Sequence, residues 1–124
     1  MNIRVPVSHA EAMATFLQDL VRIPSLSTQE GAVADRLAEE MQQIGFDQVW
    51  TDPVGNVIGR IGAGAGPKLL FNAHMDHVDV GDLSRWPHAP YAGVIQDGIL
   101  YGRGACDMKG GLAAMVHAVK ALIE

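Results

Sequence analysis

The sequence Leu69-Leu70-Phe71-Asn72-Ala73-His74-Met75-Asp76 contains the pattern from which the fold is predicted. Its first half is a short, continuous apolar run, which is typical of a strand that is buried on both faces. His74 and Asp76 follow at the end of this strand, and their spacing of two places both side chains on the same face. An imidazole beside a carboxylate suggests a metal ligand and the group that orients it, because the carboxylate accepts the second ring N–H.

A second stretch, Gly102-Arg103-Gly104-Ala105-Cys106-Asp107-Met108-Lys109-Gly110-Gly111, brings another carboxylate to the start of a helical pattern. The glycines allow the backbone to approach a neighbouring group closely. Neither stretch is decisive alone, since a single histidine is usually not a ligand and Asp107 could simply cap the helix. His74 stands out because it lies at a strand end with Asp76 beside it.

The rest of the chain alternates between helical patterns and short strand patterns, which predicts a mixed α/β layer structure. The predicted elements are a helix from the capping box Ser8–Glu11 to a point before Pro24, a helix from the box Ser27–Glu30 to Gly45, strands at Phe46–Thr51 and Gly55–Ile61, a hairpin around Gln96-Asp97-Gly98, and a helix opened by Gly110 and Gly111.

Composition and charge limit the class of protein. Hydrophobic residues make up 48% and charged residues 19% of the 124 positions, which is ordinary for a globular domain. The formal net charge of −5 does not favour nucleic acid as a partner. No apolar run approaches the roughly 20 residues of a membrane span, so no membrane is expected. The single cysteine, Cys106, fits a reducing compartment, and we expect a cytoplasmic protein.

Two glycine-rich stretches are similar to nucleotide-binding loops but lack the required context. Gly62–Gly66 is followed by Pro67 and a predicted strand, whereas the dinucleotide motif opens a helix. After Gly102 and Gly104, Asp107 occupies the position of the third glycine, where a carboxylate would repel a pyrophosphate. A nucleotide-binding domain therefore has only these failed patterns in its favour.

The ordered set of motifs resembles the acetylornithine deacetylase, succinyl-diaminopimelate desuccinylase and carboxypeptidase G family of dinuclear zinc hydrolases. The resemblance runs from about Phe16 onward. The matching pieces are His74-Met75-Asp76-His77-Val78, Arg85-Trp86 with Pro90-Tyr91, Asp97-Gly98 with Leu100-Tyr101-Gly102-Arg103-Gly104, Asp107-Met108-Lys109-Gly110-Gly111, and the early pairs Pro24-Ser25 and Gly55-Asn56.

This resemblance implies a site and a reaction. His74 would bind one of two divalent ions, which are zinc in the family, although His and Asp also accept cobalt or manganese. Asp107 would bridge both ions, and Asp76 would serve catalysis by orienting His74. The implied fold is an α/β, three-layer zinc-peptidase-like catalytic domain with a mixed sheet. The implied reaction is hydrolysis of an amide in a small N-acyl amino acid or a peptide. A cis peptide at Asp107–Met108 is also implied.

The sequence departs from the family after Asp107. The family's Glu-Glu pair, which provides the general base and a ligand, a further acidic ligand and a later histidine have no counterpart there. Glu39-Glu40 precedes His74 and is interpreted as a solvated charge pair on a helix face. The family's lid domain, through which members often dimerise, is not found. We therefore expect residues 1–124 to be the N-terminal portion of the catalytic domain, incomplete on its C-terminal side and inactive alone. The alternative is a non-catalytic module that binds metal or associates with other chains.

Overall fold

A computed structural model describes residues 6–62 and 64–123 of the chain. They form three α-helices and two β-hairpins, which confirms the α/β class. No helix among these residues is long and apolar enough to cross a membrane. The elements in chain order are α1 (Val7–Arg22), α2 (Gly31–Ile44), β1 (Gln48–Thr51), β2 (Val57–Arg60), a short 3₁₀ helix (Leu83–Arg85), β3 (Val94–Gln96), β4 (Ile99–Tyr101) and α3 (Gly110–Ile123).

The hydrophobic core lies where the three helices pack together. Each helix contributes apolar side chains at a spacing of three or four residues, so that one face of each helix is buried. α1 contacts both α2 and α3, and α2 also packs against the first hairpin. The core side chains are Phe16 and Leu20 from α1, Val33, Leu37 and Met41 from α2, and Leu112, Ala113 and Val116 from α3.

Both strand pairs are antiparallel hairpins. β1 pairs with β2, with Gln48 opposite Arg60, and β3 pairs with β4, with Gln96 opposite Ile99. The second hairpin turns through Asp97 (φ 52°) and Gly98 (φ 78°), and two residues of positive φ are what a two-residue hairpin loop requires. The hairpin predicted around Gln96-Asp97-Gly98 is confirmed.

The prediction of a buried strand at Leu69–Ala73 is wrong for this structure. Leu69, Leu70 and Phe71 are 84%, 91% and 66% exposed, and the segment is not in a strand. Within the described ranges, each hairpin pairs only with itself, so neither covers this apolar run. An apolar sequence indicates a tendency to be buried, but burial also needs neighbouring elements, and the described residues do not provide them here.

The ends of the first two helices were predicted better than their beginnings. α1 ends at Arg22, before Pro24, and α2 ends at Ile44, followed by the C-cap Gly45 with a left-handed φ of 99°. Pro6 and Glu30, however, occupy the N-cap positions, so neither predicted capping box forms. The Glu30 carboxylate instead accepts the backbone N–H of Thr28 at 2.8 Å.

The interpretation of Glu39-Glu40 as a solvated pair is correct for Glu39 and wrong for Glu40. The Glu40 side chain is buried between helices, where its Oε1 lies 3.0 Å from His117 Nε2 and its Oε2 accepts Arg36 Nη1–H at 2.8 Å. Arg36 also donates to Asp19 on α1 at 3.1 Å. His117 on α3 and Arg36 on the same helix thus hold Glu40 inside the molecule.

Candidate metal centre

His74 and Asp107 converge, as the sequence predicted. Their side chains come from segments far apart in the chain, yet His74 Nε2 lies 2.9 Å from Asp107 Oδ1. His74 is about half exposed and the Asp107 side chain is 89% exposed, so the contact faces solvent. A nitrogen and a carboxylate oxygen that point at one another at an accessible surface are well placed to bind a cation.

Asp76 lies on the other side of the imidazole. Its Oδ1 is 3.0 Å from His74 Nδ1, as predicted for the group that orients this ring. The second oxygen, Oδ2, accepts the hydroxyl hydrogen of Ser27 at 2.5 Å. Each Asp76 oxygen therefore has its own partner, and the carboxylate is held between the loop after α1 and the imidazole.

Carboxylates on both sides of the imidazole stabilise its protonated form. The hydrogen bond to Asp107 raises the pKa of His74, and the bonds to Asp76 add to this effect. The hydroxyl of Ser27, followed by His74, lowers the pKa of Asp76. Because a metal binds to an unprotonated ring nitrogen, a cation at Nε2 would replace the proton that His74 shares with Asp107.

The turn Ala105–Lys109 presents Asp107 to solvent. Its Asp107–Met108 peptide is cis, in agreement with the prediction. At the end of this turn Lys109 is fully buried, and its Nζ donates to Leu20 O at 2.8 Å and Ile23 O at 2.7 Å. Burial lowers the pKa of Lys109 to about 8. One end of the turn is thus tied to the last carbonyls of α1, while Asp107 remains accessible.

A cleft of about 210 Å³ opens beside the convergence point. His74, Asp76 and Asp107 line one part of it, and Arg103 and Cys106 line another. The Arg103 guanidinium stacks 4.9 Å from the centre of the Trp86 ring, which gives the cleft a positively charged wall.

The donor chemistry fits a divalent transition metal, but only in part. Imidazole nitrogen and carboxylate oxygen are both zinc ligands. In residues 6–62 and 64–123, however, no group of three or more His, Cys, Asp or Glu side chains could hold a metal ion. His74 and Asp107 therefore supply two donors, fewer than the three or four protein ligands of usual zinc sites.

Comparison with known proteins identifies the family that this chain resembles. Residues 70–124 match the model of Peptidase family M20/M25/M40, and this segment includes His74, Asp76 and Asp107. This stretch of the chain is therefore similar to that peptidase family. The resemblance to zinc hydrolases that the sequence indicated is confirmed at the level of the family.

Curated relatives extend the similarity towards the N-terminus. The chain is 47% identical over 109 residues to the uncharacterized protein YgeY of Escherichia coli strain K12, covering 87% of this chain and 27% of that protein. It is 41% identical over 114 residues to a succinyl-diaminopimelate desuccinylase of Methylorubrum extorquens, covering 86% of this chain and 29% of the relative. The chain thus spans less than a third of the length of these relatives.

A solved structure supports the fold. An M20 family metallo-carboxypeptidase from Sulfolobus solfataricus superposes with a TM-score of 0.75 at 28% identity, covering 93% of this chain and 27% of that chain. The helices and hairpins described above therefore have the arrangement found in a member of the same peptidase family.

The sequence did not reveal two residues next to the site. Ser27 was interpreted as a helix cap, but its hydroxyl binds Asp76. His77 had no assigned role, and in the structure it is buried, with its Nε2 accepting Ser25 N–H at 2.8 Å. The repeated serines at positions 25 and 27 were visible in the sequence, but their partners were not.

Proposed function

We propose that this chain provides part of the metal centre of a hydrolase that cleaves amide bonds in small N-acyl amino acids or peptides. The contact of His74 Nε2 with Asp107 Oδ1 at 2.9 Å, with Asp76 on the other ring nitrogen, carries this proposal. The similarity to a desuccinylase and to a metallo-carboxypeptidase supports this substrate class. The lone cysteine, Cys106, supports a cytoplasmic location.

The roles follow from the positions of the three side chains. His74 would bind one metal ion through Nε2, Asp107 would share its carboxylate between two ions, and Asp76 would hold the imidazole in the required orientation. We propose zinc as the metal, with cobalt or manganese as substitutes that accept the same donors. Divalent ions in such a site polarise an amide carbonyl and acidify water.

Residues 1–124 form the N-terminal portion of the catalytic domain in this proposal, and a lid domain is not part of them. The two donors leave most of each ion's coordination to water, so metal binding by the 124-residue protein should be weak. A general base beside the metals is also missing from the proposed set. We therefore expect the 124-residue protein to hydrolyse N-succinyl amino acids no faster than buffer that contains zinc.

Zinc titration followed by NMR tests the metal centre without relying on activity. Zinc should shift the signals of His74 and Asp107 in the unmodified protein, and His74→Ala should abolish these shifts. His88→Ala is the matched control, because His88 contacts Tyr101 rather than the proposed site. Equal binding by the unmodified protein and the His74→Ala variant would refute the proposal.

An activity assay tests separately whether the two ligands in this chain are too few for catalysis. A longer protein, in which this chain is followed by the Glu-Glu pair and the histidine of its relatives, should hydrolyse the substrate, and His74→Ala or Asp107→Ala should abolish that turnover. Metal-dependent turnover by the 124-residue protein, lost in His74→Ala, would show that a second copy of the chain completes the site.

The exposed apolar run gives the alternative function one observation in its favour. Leu69, Leu70 and Phe71 present three large apolar side chains to solvent, as expected for a module that associates with another chain. A pure association module would self-associate in ultracentrifugation with or without zinc. A module that only binds metal is distinguished by the activity assay, because the longer protein would then show no turnover.

A further inference from the structure

The loop after α1 contacts the proposed metal centre through the side chain of Ser27. Ser27 donates its hydroxyl hydrogen to Asp76 Oδ2, and Asp76 Oδ1 accepts the Nδ1–H of His74. The imidazole then presents Nε2 towards Asp107. A continuous chain of hydrogen bonds therefore connects this loop with the nitrogen that would bind the metal.

We propose that Ser27 is a positioning residue for the metal ligand His74, acting through the Asp76 carboxylate. This inference rests on the proposed function, because it assumes that His74 Nε2 binds a metal. Ser27 itself does not contact the metal in this arrangement. Its hydroxyl fixes the rotation of the Asp76 carboxylate, and the carboxylate in turn fixes the orientation of the imidazole and the nitrogen that carries its proton.

The backbone around Ser27 is held firmly enough for such a role. Ser25 N–H donates to His77 Nε2 at 2.8 Å, and His77 N–H donates to Ser25 O at the same distance. The Ser25 hydroxyl donates to Met75 O, also at 2.8 Å. Ser25 and His77 are 0% and 4% exposed, so these bonds are protected from water. Leu26 and His77 form a parallel β-bridge, so Ser27 and Asp76 both flank the bridge, and their side chains are in contact.

The same contacts give His77 a structural role and leave neither of its ring nitrogens available to a metal. Its Nε2 accepts the N–H of Ser25, so the ring proton lies on Nδ1, which donates to Val78 O at 2.9 Å. Both nitrogens of the neutral ring are therefore used within the protein. His77 connects the His74–Asp76 segment to the Ser25–Ser27 loop.

The test compares four forms of the 124-residue protein: unmodified, Ser27→Ala, Ser27→Thr and Ser84→Ala. Ser84 is the matched control, since its hydroxyl also donates to an aspartate, Asp82, at 2.8 Å but outside the cleft. Zinc affinity is measured by NMR titration, and the proton position on His74 is read from the ¹⁵N shifts of its ring in metal-free protein.

Ser27→Ala should weaken zinc binding by about 10–100-fold, the usual effect of losing a group that supports a ligand. It should also reduce the fraction of His74 rings that are protonated at Nδ1 when one proton is present. Ser27→Thr keeps the hydroxyl and should restore both properties, whereas Ser84→Ala should change neither. A merely structural role for Ser27 would alter the thermal unfolding temperature without moving the proton on His74.

Two results would overturn the inference: unchanged zinc affinity in Ser27→Ala, or failure of Ser27→Thr to restore it. If Ser27→Ala does not fold, Ser27→Gly replaces it, since glycine also lacks the hydroxyl and suits a turn, and this variant should likewise bind zinc less tightly. The His74→Ala variant distinguishes failure of the inference about Ser27 from failure of the proposed function. If His74→Ala loses zinc binding but Ser27→Ala does not, only the inference about Ser27 fails.

Discussion

Two histidine–carboxylate pairs in this protein have nearly the same geometry and opposite properties. His74 Nε2 lies 2.9 Å from Asp107 at the cleft, and His117 Nε2 lies 3.0 Å from Glu40 between α2 and α3. The side chains of the first pair are 47% and 89% exposed, and those of the second are 4% and 11% exposed. The pKa of His74 is raised by its carboxylates, whereas burial lowers the pKa of His117 despite Glu40.

The difference shows that surroundings, rather than the contact itself, decide what such a pair does. Water and a second carboxylate, Asp76, stabilise the charged ring of His74, so a cation is tolerated at the cleft. His117 lies against the Phe16 ring, at 5.6 Å between ring centres, and its Nδ1 has no hydrogen-bond partner within the described part of the chain. This environment favours a neutral imidazole that holds two helices together.

The largest effect should come from removing the exposed carboxylate. Asp107→Ala deletes one of two proposed ligands, so zinc affinity should fall by more than about 100-fold, or roughly 2.7 kcal/mol. The free energy of unfolding of the metal-free protein should change by less than about 0.5 kcal/mol, because Asp107 is exposed. Zinc titration and urea unfolding measure the two quantities. Glu39→Ala, which removes another exposed carboxylate, should leave both unchanged.

The buried carboxylate should show the reverse pattern. Glu40→Ala leaves the buried His117 Nε2 without its partner and Arg36 paired with Asp19 alone, and the resulting loss of stability should be about 1–3 kcal/mol. Zinc affinity should stay within twofold of the unmodified value, since no atom of the cleft is changed. Urea unfolding of Glu40→Ala against Glu39→Ala isolates the effect of burial on the same helix. A stable Glu40→Ala protein with impaired zinc binding would contradict the separation of the two pairs.

The smallest expected effect concerns the pH dependence of folding stability in the metal-free protein, to which the two histidines should contribute with opposite sign. A raised folded-state pKa means that His74 contributes stability below its unfolded value near 6.5 and loses it as the pH rises through the folded value. A lowered pKa means that His117 contributes stability above 6.5 and loses it as the pH falls.

Urea unfolding between pH 5 and 8 of His74→Gln and His117→Gln should therefore reveal changes of opposite sign in the pH profile. NMR titration of the imidazole signals gives a direct measurement, with the pKa of His74 above and that of His117 below 6.5. Both values on the same side would show that exposure does not govern these pairs.

Local signals in the sequence were sufficient to predict several helix ends and turns. Pro24 and Gly45 marked helix ends correctly, and Asp97-Gly98 marked the hairpin turn, because each depends on backbone preferences of the residue itself. His74 and Asp107 were also found, since their motifs resemble those of a known family. Their convergence is confirmed, whereas their roles as ligands stay predictions.

Features that depend on distant partners were not predictable in the same way. Ser27 meets Asp76 across 49 positions of sequence, and Glu40 meets His117 across 77. The pattern of one helix cannot show which polar residue a second helix will cover, so Glu40 was assigned to the solvent face. The Leu69–Ala73 run was misjudged for the converse reason: its composition indicates burial, but its cover must come from other elements.

The hydrogen bonds of Lys109 couple the local unfolding of two parts of the protein. Because its ammonium binds two carbonyls at the end of α1, the turn that carries Asp107 cannot detach while those bonds remain. Opening the turn and fraying the end of the helix are therefore one event. In hydrogen exchange, the amide of Lys109, which donates to Gly104 O at 2.9 Å, should exchange at the rate of amides in the last turn of α1.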